Sequence, residues 1–225
     1  MKKIEFTFNS LPVFPIPIGV YNFKQSNHNL NQTLVSDTLL ENNNDSIGED
    51  HSNMGGWHSK VGMEQRYQSY SNLCDILSEC GNHYCNSYGY KDGITCFDLW
   101  ANINQSGDVN FMHHHGTTAL AGVYYPASEI LNNVPTFNYT NENPIKAGTW
   151  NNIDGGALVL QDPSYGRKVG LLTKKATPYN IDFYHLYPTA SVLVLFPSYL
   201  LHMVLPFKED KTRMSISFAF SYGTN

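Results

Sequence analysis

The stretch SVLVLFPSYLLHMVLP, residues 191–206, decides the fold. Its first half is a short Val-rich run closed by Phe196-Pro197-Ser198, the pattern of a buried β-strand with a turn behind it. His202 follows among apolar residues, and a short charged turn then leads into RMSISFAFSY, which begins at Arg213. Three runs of the same character lie upstream: ITCFDLWANI from Ile94, ALAGVYYP from Ala119 and GALVLQD from Gly156. Gly, Pro and Asn turns separate them, and no helix-period segment of comparable length lies between. An antiparallel sandwich or double-sheet jelly roll is expected, rather than βαβ units.

Upstream of Ile94 the pattern changes. Ile4, Phe6 and Phe8 alternate like a strand, and in VFPIPIGVYNF the prolines Pro15 and Pro17 demand extended backbone. Leu30, Leu34, Val35 and Leu39 recur at helical spacing, and the polar run from Glu41 to Gly56 reads as an exposed loop with the composition of a lid. Tyr67, Tyr70, Leu73, Ile76, Leu77 and Cys80 trace one face of a helix that Gly81 is placed to end. Core packing is the expected role of that stripe. The division that follows is one domain over residues 1–225, with helical and loop elements in 1–93 flanking a β core in 94–225.

Length and charge narrow the function. A chain of 225 residues suits one domain with a sizeable core. With 14 Lys+Arg against 19 Asp+Glu, the net charge of −5 offers no basic stripe for phosphate backbones, so a nucleic-acid partner is not expected. No apolar run is long enough to span a membrane, and MKKIEFTFNS lacks the apolar centre of a signal peptide. The four cysteines, Cys74, Cys80, Cys85 and Cys96, form no CxxC pair for a zinc knuckle and read as free thiols. A cytoplasmic protein is expected.

The residues that carry chemistry sit in the β-rich part. In FMHHHG, residues 111–116, side chains two apart on a strand share a face, so His113 and His115 can converge while His114 turns away. Imidazoles placed so suit Fe, Zn, Cu or Ni. A jelly roll can return His202 beside that pair. Arg213 and Ser215 are likewise two apart, and a guanidinium held inside a barrel calls for an anion, which its planar fork grips bidentately. Tyr124-Tyr125 must turn one phenol inward, where it needs a hydrogen-bond partner. Gly155-Gly156 reads as a crowded strand start, and Asp162 as a turn cap.

In order and spacing these segments resemble the 2-oxoglutarate- and Fe(II)-dependent oxygenases of the double-stranded β-helix. The match is closest to an uncharacterised subgroup from bacteria and marine phages, with H-x-H-P, S-G-V-Y-Y, F-P-S-x-L-x-H and R-x-S-I-S-F. Here the segments read HHHG, AGVYY, FPSYLLH and RMSISF, and VFPIP and GGWHS (Gly55–Ser59) also look like that subgroup. The likeness runs from about residue 11 to 222.

The resemblance implies a mainly β fold with flanking helices, the double-stranded β-helix. It implies an oxidoreductase, an Fe(II)- and 2-oxoglutarate-dependent dioxygenase, most plausibly a hydroxylase acting on a small-molecule or peptidyl substrate, and a homodimer. His113 and His202 match the two iron-binding histidines of the family. Arg213 matches the residue holding the far carboxylate of 2-oxoglutarate, Ser215 assists it, Tyr125 matches a tyrosine donating to the same carboxylate, and Asn102 is a weaker pocket candidate. The usual second metal ligand is Asp or Glu, whereas position 115 is His, which makes the expected ligand set His113, His115 and His202. A shifted register would use His114 and leave Gly116 at the carboxylate position. Two other readings stand beside this one: a cupin-like three-histidine metalloenzyme without 2-oxoglutarate, and a non-enzymatic β-sandwich binding protein.

Overall fold

The computed structural model describes residues 14–23, 28–126, 156–164, 180–208 and 210–223. The alternation at Ile4, Phe6 and Phe8, and Gly155, lie outside these. The described residues form eleven strands and three helices. In chain order they are β1 (Gly19–Asn22), α1 (His28–Asn44), β2 (Asn53–Met54), β3 (Trp57–His58), α2 (Met63–Arg66), α3 (Gln68–Ser87), β4 (Ile94–Asn104), β5 (Val109–His113), β6 (Leu120–Tyr125), β7 (Leu158–Gln161), β8 (Phe183–Leu186), β9 (Val192–Pro197), β10 (His202–Val204) and β11 (Arg213–Tyr222). All five runs expected to be strands are strands.

The strands build two antiparallel sheets, one in the order β1-β9-β6-β11-β4-β3 and the other β2-β5-β10-β7-β8. Strands distant in sequence are neighbours in both, as in a jelly roll, and the fold is the expected double-stranded β-helix with flanking helices. The period-2 alternation of the central strands explains the layering. On β11, Met214, Ile216, Phe218 and Phe220 join a core with Leu73, Leu77 and Tyr84 of α3 and Leu34 and Val35 of α1. On the opposite face, Val123 of β6 and Val194 and Phe196 of β9 pack against Leu158 and Leu160 of β7. The six-stranded sheet is therefore covered by helices outside and by the smaller sheet inside, and its central strands β6, β9 and β11 are buried along nearly their whole length.

Tyr124 and Tyr125 show the consequence. Both phenols are fully buried, on opposite faces. Tyr124 donates its hydroxyl to Asn31 Oδ1 of α1 at 2.6 Å, whereas Tyr125 faces the smaller sheet. Each has a partner, as burial of a phenol requires.

Two expectations need correction. Gly81 does not end its helix: α3 continues to Ser87. A Cβ at position 81 would stand 2.7 Å from Phe220 Cε1, so this glycine serves close packing of α3 on β11 rather than a cap. The polar run 41–56 is not one free loop. Residues 41–44 belong to α1, and the segment beyond is stitched to both sheets, because β2 pairs with β5 and β3 pairs with β4. Among the described residues, no helix is long and apolar enough to cross a membrane.

Candidate active site

The ladder between β10 and β5 places His202 directly opposite His113. The chain leaves β5 after His113, and His115 turns back toward the same point, its backbone N–H held by the Ser198 carbonyl at 3.0 Å. The Nε2 atoms of His115 and His202 are 3.1 Å apart, and the ring centres of His113 and His202 are 4.2 Å apart. One ligand nitrogen from each of the three rings lies within 4.8 Å of the other two. His114 is exposed and accepts the Gly116 N–H on Nδ1, so the shifted register is not the one that assembles a cluster.

Backbone carbonyls set the tautomers. His113 donates Nδ1–H to the Phe111 carbonyl at 2.6 Å, and His202 donates Nδ1–H to the Leu200 carbonyl at 2.9 Å. Each therefore carries its lone pair on Nε2, facing the cluster, the arrangement in which a metal-binding histidine is normally held. Burial, the largest cause, lowers the pKa of His115 to about 4 and of His202 to about 3, and it lowers His113 as well. Neutral imidazoles at neutral pH are the ligand form. The donor set fits a divalent first-row metal.

Arg213 begins β11 and is 3% exposed. Its Nε donates to the Gly156 carbonyl at 2.9 Å, Nη1 to Ser215 Oγ at 2.9 Å and Asn104 Oδ1 at 3.2 Å, and Nη2 to the Tyr125 hydroxyl at 3.3 Å. Every partner is neutral, and among the described residues no carboxylate pairs with this buried guanidinium. Burying a charge without a counter-charge is costly, and an anion entering beside this guanidinium would offset that cost. Among the described residues one Nη2–H has no acceptor, and the Tyr125 hydroxyl, which accepts from Arg213, donates to none. Burial raises the Tyr125 pKa, with Arg213 opposing, so the phenol keeps its proton. Gly156 has φ +72°, and a Cβ there would stand 3.1 Å from Arg213 Cδ, which accounts for the glycine at this strand start. Asp162 caps its turn, accepting from Ser164 N–H and hydroxyl, each at 2.8 Å.

Both clusters line one cavity of about 680 Å³ between the sheets. Val123, Leu158, Phe196 and Val204 form its apolar wall. Asn102 lines it too, opposite Ser215 in the β4–β11 ladder, but its amide donates to Ser217 Oγ at 3.2 Å rather than meeting Arg213. The amide that does is Asn104, which the sequence reading passed over. The signal was available: Trp100, Asn102 and Asn104 are spaced two apart on one strand, so all three face inward together. Trp100 was missed in the same way. Its indole is 5.6 Å from the His115 ring.

Residues 98–219 match the model of a family described as "Putative 2OG-Fe(II) oxygenase", a span that contains all seven of the candidate site residues named from sequence. No curated protein matches the chain by sequence. Among solved structures, a Pseudomonas putida prolyl-4-hydroxylase superposes with TM-score 0.61 at 12% identity, covering 93% of this chain and 94% of that one. A prolyl hydroxylase of Trichoplax adhaerens, solved with a hypoxia-inducible-factor peptide, gives 0.59 at 15% identity over 91% and 83%. A viral collagen prolyl hydroxylase from Paramecium bursaria Chlorella virus-1, solved with 2-oxoglutarate, gives 0.53 at 11% over 90% and 94%. At these identities the likeness is one of fold.

Proposed function

This chain belongs to the 2OG-Fe(II) oxygenase family, and from that membership we propose that His113, His115 and His202 hold the Fe(II) while Arg213, with Ser215 and Tyr125, holds the far carboxylate of 2-oxoglutarate. The protein is an Fe(II)- and 2-oxoglutarate-dependent dioxygenase, and membership favours this over a three-histidine enzyme without cosubstrate or a binding module. With Fe(II) and 2-oxoglutarate bound, the site would use O₂ as the oxidant, one oxygen atom ending in the succinate formed with CO₂ from 2-oxoglutarate and the other oxidising a substrate bond. We read the outcome as hydroxylation of a C–H bond, and residues 1–225 as a single oxygenase domain.

The observation that carries the residue assignment is Arg213: buried, without an acid, and opening onto the cavity that the three imidazoles share. The chain's own contribution is placement. The Phe111 and Leu200 carbonyls orient two imidazoles, and the Gly156 carbonyl, Asn104 and Ser215 hold the guanidinium so that Nη2 and the Tyr125 hydroxyl are left for a carboxylate. Asn102, opposite Ser215, is placed to bound the cosubstrate's side of the cavity. Three neutral imidazoles would leave a bound Fe(II) its full double positive charge and would hold it less tightly than two histidines and an acid. The test is succinate production from 2-oxoglutarate with added Fe(II). Iron-dependent turnover that disappears in Arg213→Ala is expected; normal turnover in that variant overturns the assignment.

A further inference from the structure

A second group of metal-ligating side chains lies outside the centre just described. Glu49, His51 and His58 each bring one ligand atom within 4.8 Å of the other two. Glu49 Oε2 and His51 Nε2 are 3.1 Å apart, and the rings of His51 and His58 are 4.8 Å apart. Ligands bound at ~2.1 Å to one ion stand roughly 3–3.5 Å from each other, so small side-chain rotations close the set. His58 is 6% exposed. It gives Nδ1–H to the Ser59 carbonyl at 2.7 Å, and its Nε2 has no hydrogen-bond partner among the described residues. That is a buried imidazole oriented by a carbonyl, as at His113 and His202, with its lone pair left bare.

The backbone around the group is fastened. Glu49 N–H donates to the His58 carbonyl at 2.9 Å, Trp57 Nε1–H to the Asp45 carbonyl at 2.7 Å, and His51 N–H to Asn53 Oδ1 at 2.9 Å. The Trp100 indole stacks on His58 with ring centres 5.7 Å apart and also touches His115, so it lies between two clusters that share no ligand. His51 and His58 line the cavity.

We propose that Glu49, His51 and His58 form a second site, for a divalent first-row cation of the zinc type, on the wall of the same cavity. Two imidazoles and one carboxylate are a donor set for such ions, and Zn(II) binds N/O sites more tightly than Fe(II). An ion there ties the segment between α1 and β2 to β3 and so stiffens one wall of the cavity. The site uses none of the residues assigned to iron or cosubstrate.

The experiment is Zn²⁺ titration of the metal-free full chain against a chromophoric chelator, with bound metal counted by elemental analysis. Two equivalents are expected for the unaltered protein. The Glu49→Gln/His51→Ala double variant, altered only at partly exposed side chains, is expected to keep one, and His115→Ala to keep the other. Equal zinc content in the double variant and the unaltered protein, whatever the total, overturns the proposal; a single equivalent that the double variant loses supports it and removes zinc from the three-histidine centre instead. Loss confined to His115→Ala bears on the three-histidine centre instead, which keeps the two assignments separable.

Discussion

Nε2 of His115 stands 3.1 Å from Nε2 of His202, across a sequence separation of 87 residues. Two unprotonated nitrogens repel at that distance unless a cation or a shared proton lies between them. In the metal-free protein the contact requires His115 to carry Nε2–H; with a divalent ion bound, both lone pairs turn to it.

Replacing either ring therefore removes a ligand. Changes to groups that merely orient a metal-binding histidine cost roughly 10–100-fold in metal affinity. His115→Ala and His202→Ala are expected to lose more than that for Fe(II), measured anaerobically by competition with a chelator. His115→Asp, which restores a negative charge to the ligand set, is expected to hold Fe(II) at least as tightly as the natural residue. Unchanged affinity in the alanine variants would show that the metal sits elsewhere.

Arg213→Ala removes the cation from a pocket of neutral partners. A hydrogen bond to a charged group contributes about 1.5–3 kcal/mol, or roughly 10- to 100-fold. 2-Oxoglutarate affinity, read by anaerobic calorimetry on the metal-loaded protein, is expected to fall by that factor. Tyr125→Phe, which deletes one donor and leaves the guanidinium, is expected to cost less. Equal loss in both would mean that the phenol, not the charge, holds the anion.

Acid is expected to destabilise the metal-free protein through its buried imidazoles. His115 and His202 have pKa values of about 4 and about 3 in the fold, below the ordinary histidine value because burial penalises the charged ring. Between about pH 6.5 and those values the unfolded chain binds protons that the folded chain refuses, so stability falls as pH falls. Above about pH 6.5 both states are neutral at these rings and the penalty is absent. The melting temperature in the presence of a chelator is expected to drop steadily from pH 7 to pH 5. A drop that is clearly reduced in the His115→Ala/His202→Ala double variant confirms the source, the remainder coming from other buried rings such as His113 and His58; a flat profile in the unaltered protein refutes it.

Gly81→Ala tests the helix–sheet contact. In an exposed helix interior this exchange stabilises by about 1 kcal/mol. Here the added methyl meets Phe220 at 2.7 Å, and overpacking of that kind costs about 1–3 kcal/mol. Denaturant unfolding is expected to show net destabilisation, and a gain in stability would show that α3 can move off β11.

Much of the site was legible because strand geometry is local. A period of two puts Arg213 and Ser215 on one face, and the same rule, applied to Trp100, Asn102 and Asn104, would have found Asn104 as well. His113 and His115 converge even though β5 stops at His113; beyond the strand the His115 N–H is held by the Ser198 carbonyl, a contact with no local signature. Gly81 misled because a helix-ending glycine and a glycine that lets a ring approach look alike until the neighbouring strand is known.

By itself the sequence determined five of the strands and which side chains share a face on them, and it marked two histidine-bearing stretches and an Arg-x-Ser as candidates for a metal and an anion. Only the tertiary structure decided that His202 pairs with His113, that Asn104 and Gly156 anchor Arg213, and that Glu49 and His51 meet His58 beside Trp100. The first set follows from backbone periodicity within a few residues. The second depends on strand order and register across two sheets, which are set by the packing of the whole core and have no local signature.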